Sequence, residues 1–334
     1  MLWIENMRSV YDSRMSLPTP DPGFDAHSLR LVKAIADTGS ITAAAAALGY
    51  SQPAVSQHLK ALESRLGVPL VERVGRRVRL SEAGRVLARH APTVTTALEA
   101  AAGELAELRG LKSGRVRLVG FPSASPTVVP RLLARLAETV AGVTVTYVEA
   151  EPPAAVEAVR DDRADIALTF SYPGDRDDPH RASAQGLSVR EIAVEPMIAV
   201  LPATHPAAAH ATVDVASLAS DDWIAGCPQC RGHLLELCDR AGFVPRITFE
   251  TDNFVAVEGL VAQGIGVATL PRLAVASFPA LPGIVTVPLP ATEQRTLHTV
   301  TAHGADRVPA VAAVLAAIAE VTAAVASGGD GPAN

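Results

Sequence analysis

The apolar positions of this chain change rhythm along its length. Between residues 41 and 66 they recur at helical spacing. An alanine-rich octet runs from Ile41 to Leu48, and Val55, Leu59, Leu62 and Leu66 then fall at i, i+4, i+7 and i+11. Polar punctuation bounds both stretches. Ser40 predicts an N-cap for the first helix, and Gly49 the left-handed residue that ends it. Ser51 caps the second helix, where Pro53 is tolerated because first-turn N–H groups lack intrahelical partners. The alanines hold no bulk between the backbones, so the two helices are expected to pack closely. After a short basic hairpin at residues 74–80, a long helix is predicted over residues 81–108. Its stripe is Leu87, Val94, Leu98, Leu105 and Leu108, which an isolated helix cannot bury, so a second copy is the expected partner.

From residue 115 strands and helices alternate. Strands are predicted at 116–120, 143–149 and 165–170, with helices at 127–139 and 153–161 between them, a parallel-sheet order. The alternation resumes with strands at 195–201, 223–225, 247–250 and 266–270 and helices at 232–241 and 253–263. Two lobes of similar logic suggest a hinged binding module. Residues 308–327 approach the length of a membrane span. However, Glu320 interrupts them, and Val311, Val314, Leu315, Ile318 and Val325 share one face, as in a helix packed on a sheet. Residues 1–23 hold acidic residues, three prolines and no apolar run. They read as a disordered tail rather than a signal peptide, with Met7 and Met15 as alternative starts.

Charge sharpens the picture at one end. The 334 residues carry a net charge of −6. Residues 27–90 hold 10 Lys/Arg against 4 Asp/Glu, a net of +6, leaving 19 against 31, a net of −12, for the rest. A basic lobe on an acidic body suits a protein that grips phosphate with one end. Ser51, Gln52, Pro53, Ser56, Gln57 and Lys60 lie off the apolar stripe and are the candidate groove contacts; Arg73, Arg76 and Arg77 of the hairpin are the candidate phosphate contacts. Three cysteines in a chain this long fit a reducing cytoplasm better than a disulfide scaffold.

Residues 24–109 resemble the DNA-binding domain and linker helix of LysR-type transcriptional regulators. The resemblance rests on Ile35-Ala36-Asp37-Thr38-Gly39-Ser40, Ser51-Gln52-Pro53-Ala54-Val55-Ser56, Leu62-Glu63, Leu66-Gly67, Leu70-Val71-Glu72-Arg73 and Leu80-Ser81-Glu82-Ala83-Gly84. Val32 and Val71 stand where Phe is usual, and Gln57-His58 where Arg-Gln is common, close to the groove. Further on, Asp165-Ile166-Ala167-Leu168, His205-Pro206 and the run Gly264 to Pro271 resemble the effector domain of the same family, which is itself like a periplasmic binding protein. The resemblance implies an α/β fold of four parts. These are the tail 1–23, a winged helix-turn-helix at 24–81, a linker and dimerisation helix at 82–114, and a two-lobed effector domain at 115–328. Lobe 1 would comprise 115–190 and 291–328, and lobe 2 191–290. It also implies binding to promoter DNA as a homodimer or homotetramer, a small-molecule effector between the lobes, and RNA polymerase as a further partner. No cofactor and no membrane association are implied.

Effector contacts are expected at the carboxyl ends of the strands. Pro122, Ser123 and Ser125 follow the first strand and open a helix, where hydroxyls and free N–H groups would seat a small organic anion. Thr169 and Phe170 end the third strand, and Gly226 and Cys227 follow a later one. Cys227, Cys230, His233 and Cys238 leave three readings open: small loop or cleft residues with Cys238 in the core, a thiol sensor, or four soft metal ligands at unusually compressed spacing. Peroxide-sensing members of the family carry reactive cysteines in this stretch, at a different spacing. No Gly-rich phosphate loop, Gly-x-Ser-x-Gly or His-Glu-x-x-His occurs, so catalysis is not expected. A solute-binding or redox protein with a helical oligomerisation module is the alternative class, and the basic hairpin argues against it.

Overall fold

The computed structural model describes residues 22–326 apart from residues 75–76, 109–113, 177–178, 277–278 and 280. The expected tail thus lies almost entirely outside the described residues, as does most of the end of the expected linker at 82–114. Two compact units divide at Thr95/Thr96.

The first unit contains α1 (Ala26–Thr38), α2 (Ile41–Leu48), α3 (Gln52–Leu66), the hairpin strands β1 (Val71–Val74) and β2 (Arg77–Leu80), and the start of α4 (Glu82–Leu108). The caps are those the sequence predicts. Ser40 and Ser51 accept from Ala43 and Ala54 N–H, and Gly39, Gly49 and Gly67 end their helices in the left-handed region. Leu31, Val32, Ile35, Ala44, Val55, Leu62 and Leu70 form the core. Glu63 binds the chain after α3, its Oε1 accepting from Leu70 N–H at 2.7 Å and Val71 N–H at 3.3 Å. Gly84 lies so close to this turn that a Cβ would stand 2.2 Å from the Leu70 carbonyl oxygen.

The second unit is built on β3 (Gly114–Gly120), α5 (Val128–Thr139), β4 (Val143–Glu149), α6 (Pro152–Arg160), β5 (Ile166–Ser171), the short α7 (Pro179–Ser183) and the long β6 (Ser188–Pro202). It continues with β7 (Asp222–Ala225), α8 (Pro228–Arg240), β8 (Arg246–Glu250), α9 (Phe254–Ala262), β9 (Val267–Pro271) and α10 (Arg272–Val275). Strands β10 (Ile284–Pro288) and β11 (Gln294–Thr301) and helix α11 (Pro309–Ala326) complete it. Strand order is β4-β3-β5-β11-β6-β9-β7-β8, with β10 paired to β6. The parallel β4-β3-β5 set matches the expectation. Asp165 secures it by accepting from Arg117 backbone N–H and side chain at 2.6 Å each.

Strands β10 and β11 escaped the sequence reading, and both run antiparallel to β6. β6 is twice the expected length because it serves both lobes. Its residues 188–196 pair with β11, and residues 197–202 pair with β9 and β10. The segment 308–327 is largely α11, packed on the core through Val311, Val314, Ile318 and Val321. Among the described residues no helix is long and apolar enough to cross a membrane.

Candidate functional site

On α3 the stripe Val55, Leu59 and Leu62 is buried, which leaves Gln52, Pro53, Gln57 and Lys60 exposed with Ser51 just ahead of them. Ser56 is half-buried, and its Oγ accepts from Gln52 Nε2 at 2.8 Å, so the pair presents one preset polar edge. Arg76 and the side chains of Arg73 and Arg77 lie outside the described residues. His58 differs from expectation. Its ring turns away from the Gln57 side, meeting Ser28 Oγ at 3.1 Å and the ring of His27 edge-on at 4.8 Å. Burial, the neighbouring His27 and Arg65 lower its pKa against the pull of Asp25. At this position the departure from the family pattern therefore sets how α3 rests on α1.

In the second unit a cavity of about 60 Å³ opens at the carboxyl ends of β3, β5, β7 and β9. Of the expected contacts, Pro122, Ser123, Phe170, Gly226 and Cys227 line it. Thr169 and Ser125 do not. Side chains alternate along a strand, so Phe170 faces the cavity while Thr169 faces the opposite side and pairs with His180 Nε2 at 2.7 Å. Ser125 follows a 3₁₀ turn (Pro122–Ala124) that points its hydroxyl toward β4, at 2.8 Å from Tyr147 Oη and 2.6 Å from Glu149 Oε2. Helix α5 begins only at Val128, so its first N–H groups lie beyond the predicted anion seat.

The cation of the site is Arg295 on β11, 2 % exposed. It pairs with the equally buried Glu195 on β6 and donates to Ser123 Oγ at 2.7 Å, and its guanidinium lies 4.5 Å above the Phe170 ring and 4.8 Å above that of Phe121. Glu195 also accepts from Leu273 N–H at 3.0 Å. Arg295, Glu195, Tyr172 and Glu151 were not legible as site residues. The one local signal was an arginine inside a short apolar-and-threonine run, in a stretch the sequence reading did not assign to a strand.

The cysteines divide. Cys227 and Cys230 both line the cleft, Cys227 as the N-cap of α8 and Cys230 in its first turn, the helix starting earlier than predicted. Cys227 Sγ lies 3.0 Å from Cys230 Sγ, and the Cys230 N–H donates to Cys227 Sγ at 3.4 Å. Tyr172 Oη donates to Cys230 Sγ at 3.5 Å. The Cys227 contact, with help from Tyr172 and Arg295, holds the Cys230 thiol below its usual range, whereas Cys227 is pushed up. Burial raises the Glu151 carboxyl beside Cys227. Cys238 sits in the core with Leu234 and Leu237, its thiol pushed up to about 12 by burial. The metal reading fails. His233 stacks on Tyr172 at 3.9 Å and pairs with Asp175 at 3.0 Å, and among the described residues no group of three or more His, Cys, Asp or Glu could hold a metal ion.

A helix-turn-helix unit and a cleft-bearing α/β unit in one chain define a transcription regulator with an input domain. Residues 26–85 match the bacterial regulatory helix-turn-helix proteins of the lysR family, and residues 109–323 match the LysR substrate binding domain. The chain belongs to the LysR family of DNA-binding transcription regulators. It is 33 % identical over 258 residues to a probable hydrogen peroxide-inducible genes activator of Mycobacterium avium, covering 74 % of this chain and 78 % of that one. It is 29 % identical over 289 residues to the probable regulator LrrA of Synechococcus elongatus, covering 86 % and 94 %. The fold is shared with a full-length OxyR variant from Pseudomonas aeruginosa (TM-score 0.68, 22 % identity, 88 % and 94 % covered). It is also shared with full-length CbnR in complex with its target DNA (TM-score 0.52, 21 % identity, 90 % and 100 % covered).

Proposed function

We propose that this protein is a cytoplasmic regulator that binds promoter DNA as a homo-oligomer and reads the state of the cavity between its lobes. In this reading Ser51, Gln52, Pro53, Ser56, Gln57 and Lys60 enter the major groove and Arg73, Arg76 and Arg77 hold phosphates. The supporting observation is the exposed polar edge of α3, opposite a fully buried stripe. CbnR, of the same fold, has been seen with its target DNA, which agrees with that use of the unit. Oligomerisation is supported by Leu98 and Leu105 on α4, 52 % and 61 % exposed.

The effector is a compact molecule, with Pro122, Ser123, Phe170, Gly226 and Cys227 as its contacts and Arg295 as the charge behind them. A cavity of about 60 Å³ holds roughly four waters. A panel of small metabolites screened by thermal shift, followed by gel-shift on the DNA upstream of the protein's own gene, tests this. The expected hit stabilises the wild type by mass action and loses its effect in Ser123→Ala. A ligand that stabilises both proteins equally would place the effector elsewhere. A second reading, an oxidant as the input, is supported by the two sulfurs at 3.0 Å in that same cavity and accords with the name of the Mycobacterium avium relative.

A further inference from the structure

Resting on that second reading, we infer that Cys230 and Cys227 form a hydroperoxide-reactive dithiol, with Cys230 attacking, Cys227 closing the disulfide and Glu151 taking the Cys227 proton. Four features of the geometry assign these roles. Cys230 Sγ receives the Cys227 thiol at 3.0 Å and the Tyr172 hydroxyl at 3.5 Å. It stands in the first turn of a 13-residue helix, whose N-terminus favours a thiolate. Buried Arg295 adds positive potential at the same sulfur. Gly226 brings the backbone close enough that a Cβ there would lie 3.1 Å from Cys230 Cβ, so the sulfur sits at the wall of the cavity. Cys227, 5 % exposed, lines the same cavity with its sulfur against that of Cys230, the position of a resolving thiol. The two sulfurs are within about 1 Å of bonding distance.

Cavity size selects the oxidant. Room for roughly four waters admits a small hydroperoxide and excludes a bulky low-molecular-weight disulfide. In the first step the Cys230 thiolate attacks one oxygen of ROOH. The O–O bond breaks, the departing RO− takes up from water the proton that Cys230 released on ionising and leaves as ROH, and Cys230 becomes a sulfenic acid. In the second, Cys227 gives its proton to the buried Glu151 carboxylate, whose Oε2 has no hydrogen-bond partner. Its sulfur then displaces the sulfenic hydroxyl, which leaves as water with that proton. The sum is two thiols and ROOH giving one disulfide, ROH and water. The consequence falls on the lobes. Tyr172 directly follows β5 and Cys230 lies in the first turn of α8, so replacing the accepting sulfur with a disulfide weakens a hydrogen bond between the strand end of one lobe and the helix of the other.

The full chain treated with hydrogen peroxide, and separately with tert-butyl hydroperoxide, then mapped by peptide mass spectrometry, tests the assignment. The wild type should lose two hydrogens in a Cys227–Cys230 peptide, with a change in affinity for its own upstream DNA. Cys227→Ser should stop at a sulfenic acid on Cys230, trapped by dimedone. Cys230→Ser should not react, and Cys238→Ala should react as the wild type does. Glu151→Gln should slow closure of the disulfide by about a hundredfold, the low end of what a positioned base supplies, without slowing the first oxidation. Operator affinity that responds through a Cys238 bond would overturn this pair and leave an oxidant as the input. Unoxidised thiols with unchanged DNA affinity would overturn both. Equal closure rates in Glu151→Gln and the wild type would remove Glu151 from the mechanism.

Discussion

Arg295 is the single side chain on which most of the cavity depends. Two aromatic faces, one carboxylate and one hydroxyl surround it, with almost no solvent. Replacing it with Met leaves Glu195 buried without its charge partner, so Arg295→Met should lower stability by about 3–5 kcal/mol in urea unfolding, and adding Glu195→Leu should recover most of it. If the double variant is no more stable than the single one, the pair is not the source of the loss. The cysteines give a pH test at the same scale. Cys230 is held below the ordinary thiol range by its contact with Cys227, so it ionises at lower pH than Cys238, which at about 12 has almost no thiolate at neutral pH. Iodoacetamide should therefore label Cys230 first, with a rate midpoint below that of a free cysteine near 8.5, and leave Cys238 untouched until the protein unfolds. Equal labelling of both thiols in the native protein would contradict the geometry.

Elements succeed or fail on how closely they approach. Gly84 in the first turn of α4 has the Leu70 carbonyl where a Cβ would go, and Gly232 in α8 has nothing within 4 Å. Gly84→Ala should destabilise the first unit by about 1–3 kcal/mol. Gly232→Ala should stabilise by about 0.5–1 kcal/mol, because the unfolded chain loses freedom and the helix gains propensity. Thermal unfolding followed by circular dichroism reads both, and two shifts of the same sign would show that the close approach at Gly84 does not govern the difference. Helix limits, caps and stripes were legible in advance at this scale because each depends on residues no more than four apart. Thr169 was misplaced for an equally local reason: neighbours on a strand face opposite ways, and Phe170 took the cavity side.

For the whole molecule, charge separation and the exposed α4 stripe make the predictions. Operator binding should weaken with salt, each lost phosphate contact reducing the log–log slope by about 0.9. Arg73→Ala should weaken specific and random DNA alike, and Gln52→Ala should narrow the gap between them. Indistinguishable behaviour of the two variants in salt titrations would dissolve those roles. Leu98→Asp should break the oligomer and reduce operator affinity by about a hundredfold, since two half-sites bound together gain from effective concentration. A sedimentation profile unchanged from the wild type would exclude α4 as the interface.

Sequence alone determined the helix-turn-helix, its caps, the long helix and the alternation of strands and helices, because hydrogen bonds between near neighbours and the 3.6- and 2-residue periods write them into short windows. It also placed Ser123 and Cys227 at strand ends, where such sheets take ligands. Only the tertiary structure decided what the cavity contains. Ser123 meets Arg295 across 172 positions, Tyr172 meets Cys230 across 58, and β11 slips antiparallel between β5 and β6. No local rule carries those pairings. They arise because burying β5 on both faces draws β11, with its arginine, into the centre of the sheet, and burial then obliges that charge to find Glu195.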